Sequence, residues 1–164
     1  MQKNGLCANC DGEVTEDSDF CPHCGRLFEQ TGTAFCDSHS DETATGVCIV
    51  CRRLLCNKCG SRKSGRWFCN DHKNVAVEQD WALVFESPDI NEAELAKSFL
   101  QSVGVHVVVR NFGPNTVVWD GGGDSLFSRQ ALNRQAKLFV PIPEYEQSRQ
   151  ALEEWDSAKG IEPL

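Results

Sequence analysis

All ten cysteines of this 164-residue chain lie between Cys7 and Cys69, and the 95 residues that follow contain none. Each has a cysteine or histidine three positions away: Cys7/Cys10, Cys21/Cys24, Cys36/His39, Cys48/Cys51, Cys56/Cys59 and Cys69/His72. Two soft donors at that spacing reach one ion from a single tight turn, and four such donors complete a tetrahedron around zinc. A segment of about 30–40 residues buries too little apolar surface to fold alone. A structural zinc supplies on the order of 10 kcal/mol or more of apparent folding energy. The twelve residues are therefore expected as ligands of three Zn2+ ions.

Composition sets the surroundings of these sites. The chain is 40% hydrophobic and 24% charged, ordinary for a globular protein and too apolar for full disorder. A net charge of −8 argues against undirected affinity for nucleic acid or anionic membrane. No apolar run approaches the roughly 20 residues needed to cross a bilayer. The start, Met1-Gln2-Lys3-Asn4-Gly5, shows no signal-peptide core. A cytoplasmic, reducing location is the expectation, and there paired cysteines are metal sites more often than disulfides.

The first segment joins Cys7/Cys10 to Cys21/Cys24 across ten intervening residues, one site of four cysteines. Gly25 suits the positive φ that such a turn needs after its second cysteine, Asp11-Gly12 holds the same place after Cys10, and Pro22 stiffens the second turn. His23 lies inside a turn whose sulfurs already complete the set, so it is expected as a solvent-facing spacer. Residues 5–28 resemble a zinc ribbon. Cys21-Pro-His-Cys24-Gly25 is also similar to the second turn of rubredoxin, an iron protein, but the ten-residue spacing is short for that fold and its aromatic residues are largely missing.

The second segment carries eight donors, enough for two ions of three cysteines and one histidine each. Joining alternate pairs closes loops of 16 and 17 residues, whereas joining neighbours closes loops of 8 and 9. Both are feasible. Joining Cys48/Cys51 to Cys56/Cys59 is least so, because Arg52-Arg53-Leu54-Leu55 is a very short return. In its order of ligands, residues 35–73 resemble a B-box zinc finger, a relative of the RING family. That resemblance implies a cross-brace, with Cys36, His39, Cys56 and Cys59 on one ion and Cys48, Cys51, Cys69 and His72 on the other.

Complete fours of ligands point to scaffolding, since a catalytic zinc keeps a position open for water. No carboxylate or histidine stands out as a general base, and no nucleophile–base pair can be assembled. Nucleic-acid binding is the alternative reading. Arg52, Arg53, Lys58, Arg62, Lys63 and Arg66 cluster beside Trp67 and Phe68 in a segment that is net +3. Bound thiolates lower that segment to about +1 and the whole chain to about −12, and such clusters are more often a solvated face.

After residue 74 hydrophobic periodicity replaces cysteine pairing. Residues 80–86 read as a strand, Asn91–Val103 as a helix with Asn91 and Glu94 at capping-box spacing, and Ala96, Phe99, Leu100 and Val103 as its buried stripe. Strands follow at 105–110, 116–119 and 137–140, then a helix over 144–157 with Ser148, Ala151, Leu152 and Trp155 facing inward. The order β-α-β-β-β-α predicts a small α+β sandwich over 79–158. Trp81-Ala-Leu-Val-Phe-Glu86, Glu94 to Gly104, Leu138-Phe-Val-Pro141 and Gln150-Ala-Leu-Glu-Glu-Trp155 resemble a bacterial domain family of uncharacterised role, described as signal-transducing. That resemblance implies a ferredoxin-like regulatory fold and names no ligand. Asp120-Gly-Gly-Gly-Asp124 lacks the Gly-Lys-Ser/Thr ending of a phosphate loop and reads as a hairpin loop, while His106 has no evident partner.

The combined expectation is a non-enzymatic zinc-binding adaptor. Leu54, Leu55, Trp67 or Phe68 would meet a protein partner, and 79–158 a second partner or a small-molecule ligand. Two further readings are a ubiquitin-ligase role by analogy with RING proteins, and redox sensing through zinc release.

Overall fold

The computed structural model of the chain describes residues 4–28, 33–110 and 135–159. The chain mixes helix and strand and divides into two compact units, Met1–Val75 and Ala76–Leu164. No helix among the described residues is long and apolar enough to cross a membrane.

The first unit is built from short hairpins. β1 (Asn4–Leu6) pairs antiparallel with β2 (Glu13–Thr15), and the Cys7–Cys10 turn sits between them. β3 (Gly46–Val47) pairs with β4 (Leu54–Leu55) around the Cys48–Cys51 turn. β5 (Gly60–Lys63) pairs with β6 (Arg66–Cys69) through Ser64 and Gly65, whose φ values of 51° and 79° are those of a tight hairpin turn. Val47, Ile49, Leu55 and Phe68 form the apolar interior of this unit, each 2% exposed or less. Leu55 and Phe68, expected to meet a partner, are thus core residues. Their burial supplies about 1.5–3 kcal/mol each in a unit with few other large side chains. Both cysteine-rich segments belong to this one unit, and the link at 29–32 lies outside the described residues.

The second unit is a four-stranded antiparallel sheet with helices. Its elements are β7 (Val77–Glu78), β8 (Trp81–Ser87), α1 (Ile90–Ser102), β9 (Val108–Arg110), β10 (Ala136–Pro141), a 3-10 turn (Ile142–Glu144) and α2 (Tyr145–Lys159). The strand order is β7-β8-β10-β9, so α1 links two strands that are not neighbours and β10 fills the place between them. β10 pairs with β8 from Ala136↔Ser87 to Pro141↔Trp81, with a register shift between Leu138 and Phe139, and with β9 at Lys137↔Arg110. Leu138 and Val140 on β10, Ala96 and Leu100 on α1, Val105 and Leu152 form the core. Trp155 closes its rim, stacked on Phe99 at 6.1 Å and edge-on to Phe85 at 6.4 Å.

Helix α1 starts one residue earlier than its sequence pattern indicates. Its cap is Asp89, whose carboxylate accepts the Asn91 N–H at 2.8 Å, rather than Asn91. Ser87 supports that turn, donating to Glu92 at 2.6 Å and accepting from the Asp89 N–H at 3.1 Å. The buried face is accordingly Ala93, Ala96 and Leu100, and Val103 is exposed. The two-residue β7 is too short to leave a sequence signal. The strand expected at 116–119 and the glycine-rich stretch at 120–124 lie outside the described residues.

Candidate metal centres

The backbone first prepares three turns. In each, the residue after the second cysteine adopts positive φ: Asp11 at 56°, Gly25 at 77° and Arg52 at 64°. That conformation closes the turn with an N–H bond back to the first cysteine, Asp11 to Cys7 O at 2.8 Å, Gly25 to Cys21 O at 2.8 Å and Arg52 to Cys48 O at 2.9 Å. Cys56–Cys59 closes likewise through the Gly60 N–H at 2.9 Å. The Cys36–His39 and Cys69–His72 turns are pinned by the histidine N–H on the cysteine carbonyl, at 3.3 and 3.1 Å.

These turns bring the twelve residues together in three tetrads, and within each the donor atoms lie within 4.8 Å of one another. The first is Cys7, Cys10, Cys21 and Cys24; the second is Cys36, His39, Cys56 and Cys59; the third is Cys48, Cys51, Cys69 and His72. The second and third interleave along the chain, so alternate pairs meet and neighbouring pairs do not. Close sulfur–sulfur contacts include 3.3 Å (Cys36–Cys59), 3.6 Å (Cys10–Cys21) and 3.8 Å (Cys7–Cys24, Cys51–Cys69). Both histidines turn Nδ1 to the sulfurs, His39 at 3.4 Å from Cys56 and His72 at 3.2 Å from Cys69. A tetrahedron with metal–sulfur bonds of about 2.3 Å has edges of about 3.8 Å, whereas a disulfide needs about 2.05 Å. All ten cysteines are free thiols at separations that fit a shared ion. Among the described residues no other group of three or more such donors gathers.

The thiol electrostatics agree with that fit. The hydrogen bond shared with Cys51 and then burial push Cys48 far up, while the same bond holds Cys51 down, against burial, to about 4. Burial raises Cys36, but hydrogen bonds from His39 and from the Ser38 N–H outweigh it and leave the thiol at about 6. Burial and the Cys36 side chain raise Cys59 to about 11. Neighbouring thiols split this way because two thiolates in contact repel, and a divalent cation between them removes the conflict.

Several cations of the basic cluster are engaged inside the first unit. Arg53 donates from Nε to Cys51 Sγ at 3.4 Å and from its terminal nitrogen to Cys69 Sγ at 3.7 Å, and it pairs with Asp71. Arg52 donates to Pro22 O at 3.3 Å and lies over Phe20 at 5.5 Å. Lys58 pairs with Glu42, and Arg62 reaches Asn9 Oδ1 at 3.2 Å and lies over Trp67 at 5.8 Å. Trp67 itself is half-buried, with its ring against Gly46, where an added Cβ would stand 2.5 Å away. His23 stands apart from the tetrads, its Nε2 3.2 Å from Glu13 O. His106 finds a partner that its sequence neighbourhood did not reveal: Nδ1 and the backbone N–H both meet Glu144, each at 2.8 Å. The thiolate-facing role of Arg53 was likewise missed; its one signal is a cation two places after the second cysteine of a turn.

Comparison with protein-family models, with curated proteins and with solved structures returns no match.

Proposed function

We propose that this chain is a non-enzymatic, zinc-loaded adaptor whose first unit presents a metal-stapled surface to a protein partner. The observation that carries the reading is the completeness of the tetrads: every cysteine and two histidines fall into three closed fours. Closed sets of four leave no place for a reacting water, which favours structural over catalytic metal. Zinc is the ion that all-sulfur and three-sulfur-one-nitrogen tetrahedra fit best in a redox-quiet role. Residues 5–28 are read as a zinc ribbon and 35–73 as a B-box-like finger. Residues 79–158 are read as a ferredoxin-like regulatory domain of bacterial signalling type, in a cytoplasmic protein.

The protein-binding reading is favoured over the nucleic-acid one by the fate of the basic cluster. Arg52, Arg53, Lys58 and Arg62 are held by contacts within the unit, which leaves fewer cations to follow a phosphate backbone. On the second unit, Ile90 and Leu95 of α1 stand exposed at 44% and 61%, which suits a second partner or a small-molecule ligand there.

The test is affinity capture from the native host with the full chain, zinc-loaded or chelated, with and without nuclease. A stoichiometric protein partner that survives nuclease and is lost on chelation is the expected result. Recovery that vanishes with nuclease would overturn the adaptor reading in favour of nucleic acid.

A further inference from the structure

Two consecutive carbonyls at the end of the Cys21–Gly25 turn leave the first tetrad and enter the third. Cys24 O accepts the Trp67 N–H at 3.0 Å, and Gly25 O accepts the Val47 N–H at 2.8 Å. Val47 immediately precedes Cys48, and Trp67 stands two residues before Cys69. Those two chain segments deliver all four donors of the third tetrad, and the Ile49 N–H joins them through Trp67 O at 3.0 Å. Arg52, directly after Cys51, adds a third link through Pro22 O, inside the same turn of the first tetrad. The joint is dry and close. Cys24, Val47, Cys48 and Ile49 are each 1% exposed or less, and a Cβ on Gly25 would stand 2.0 Å from Val47 O.

We propose that the first and third tetrads bind metal as a coupled pair, with the Cys21–Gly25 turn as a backbone clamp on the Cys48/Cys51/Cys69/His72 centre. This rests on the reading of the tetrads as metal centres. Metal on Cys21 and Cys24 fixes the turn and so aims both carbonyls. Losing that metal frees the turn, and the N–H groups of the buried Val47 and the half-buried Trp67 lose their acceptors, a loss felt directly where the third centre is assembled. Linkage makes the effect reciprocal: an occupied third centre tightens the first by the same factor. The second tetrad adjoins the third rather than the first, through β4, whose Leu54 and Leu55 pair with Val47 and Gly46, and through β5, whose Gly60 pairs with Cys69.

His72 and His39 make the coupling readable, because each reports a different centre and the first tetrad contains no histidine. The experiment follows both imidazoles by nitrogen-15 NMR while a chelator is titrated into the zinc-loaded full chain. The double variant Cys7→Ser/Cys10→Ser empties the first centre and leaves the clamp residues intact. Arg52→Asn keeps all twelve donors and suits the positive φ at that position. In the double variant, the chelator concentration that half-empties the His72 centre is expected to fall by about 5–150-fold, the usual range of site-to-site coupling, and by more than at His39. Arg52→Asn is expected to shift His72 in the same direction by less, and it decides the matter alone if the double variant does not fold. A His72 midpoint within about twofold of the unaltered chain would overturn the coupling while leaving three metal centres standing. An unaltered chain that holds no metal and shows no metal-shifted imidazole would overturn the metal reading, and the coupling with it.

Discussion

Arg53 donates from Nε to the sulfur of Cys51 at 3.4 Å, two residues along the same chain, and its far nitrogen reaches Cys69 at 3.7 Å. A centre of three thiolates, one imidazole and a divalent ion carries net negative charge, and this guanidinium lies against two of its sulfurs. Partners of that kind typically alter metal affinity by about 10–100-fold when removed. Arg53→Ala is expected to speed chelator-driven zinc release from the third centre by about tenfold, and Arg53→Lys by less, since an ammonium lacks the fork that spans both sulfurs. Release kinetics with a colorimetric zinc indicator check this, and unchanged rates in both variants would refute it.

Metal removal should separate the two units. Both long helices, α1 and α2, belong to the unit without tetrads, which has its own core around Leu100, Leu138 and Val140. A structural zinc contributes on the order of 10 kcal/mol or more, beyond what a small core can replace. Exhaustive chelation is therefore expected to abolish amide protection in the first unit and preserve it in the second. Hydrogen exchange resolved along the chain reads both, and loss of the helices on chelation would contradict the division.

Leu138, fully buried on the inner strand β10, lies in the core of the second unit. Leu138→Ala is expected to destabilise it by about 2–5 kcal/mol through lost burial and the cavity left behind. Helical circular dichroism in urea measures this, with zinc content unchanged.

Glu144 gives the second unit an acid-sensitive contact. Burial raises its carboxyl, but the backbone N–H and ring of His106 together outweigh this and hold it below the ordinary value of 4.5. A carboxylate lowered on folding adds stability that is fully present above its unfolded value and lost as the pH falls through the folded one. The stability gap between the unaltered chain and Glu144→Gln is expected to be widest above pH 4.5 and to close below it. Urea midpoints of the helical signal across that range give the answer.

Much of this architecture is legible in the chain because its signals are local. Paired donors three residues apart mark the turns, and the apolar spacing around Ala96 and Leu100 or Ser148 and Leu152 marks the helices. Which turn meets which is not local. Closing a loop of 17 residues instead of 8 costs only about 0.6 kcal/mol more, so loop entropy leaves the grouping of the second and third tetrads open. The joint between Cys24 and Trp67 is invisible for another reason: it is made by backbone groups that every residue carries. Asp89 displaced Asn91 as the helix cap because Ser87 and Glu92 brace the preceding turn, a tertiary detail that the capping-box spacing does not contain. Leu55 and Phe68 read as surface because a cysteine-rich segment looks too small to have an interior.

The place of β10 between β8 and β9 imposes an order on synthesis. The last donor of the three tetrads is His72, whereas the strand that closes the sheet ends at Pro141, 69 residues later. At about 5–20 residues per second, a ribosome takes roughly 3–14 s to cover that interval. The first unit thus has all its donors several seconds before the second has its middle strand. During that time β8 and α1 wait without their partner, and the nascent chain has a complete set of tetrad donors ahead of an open sheet.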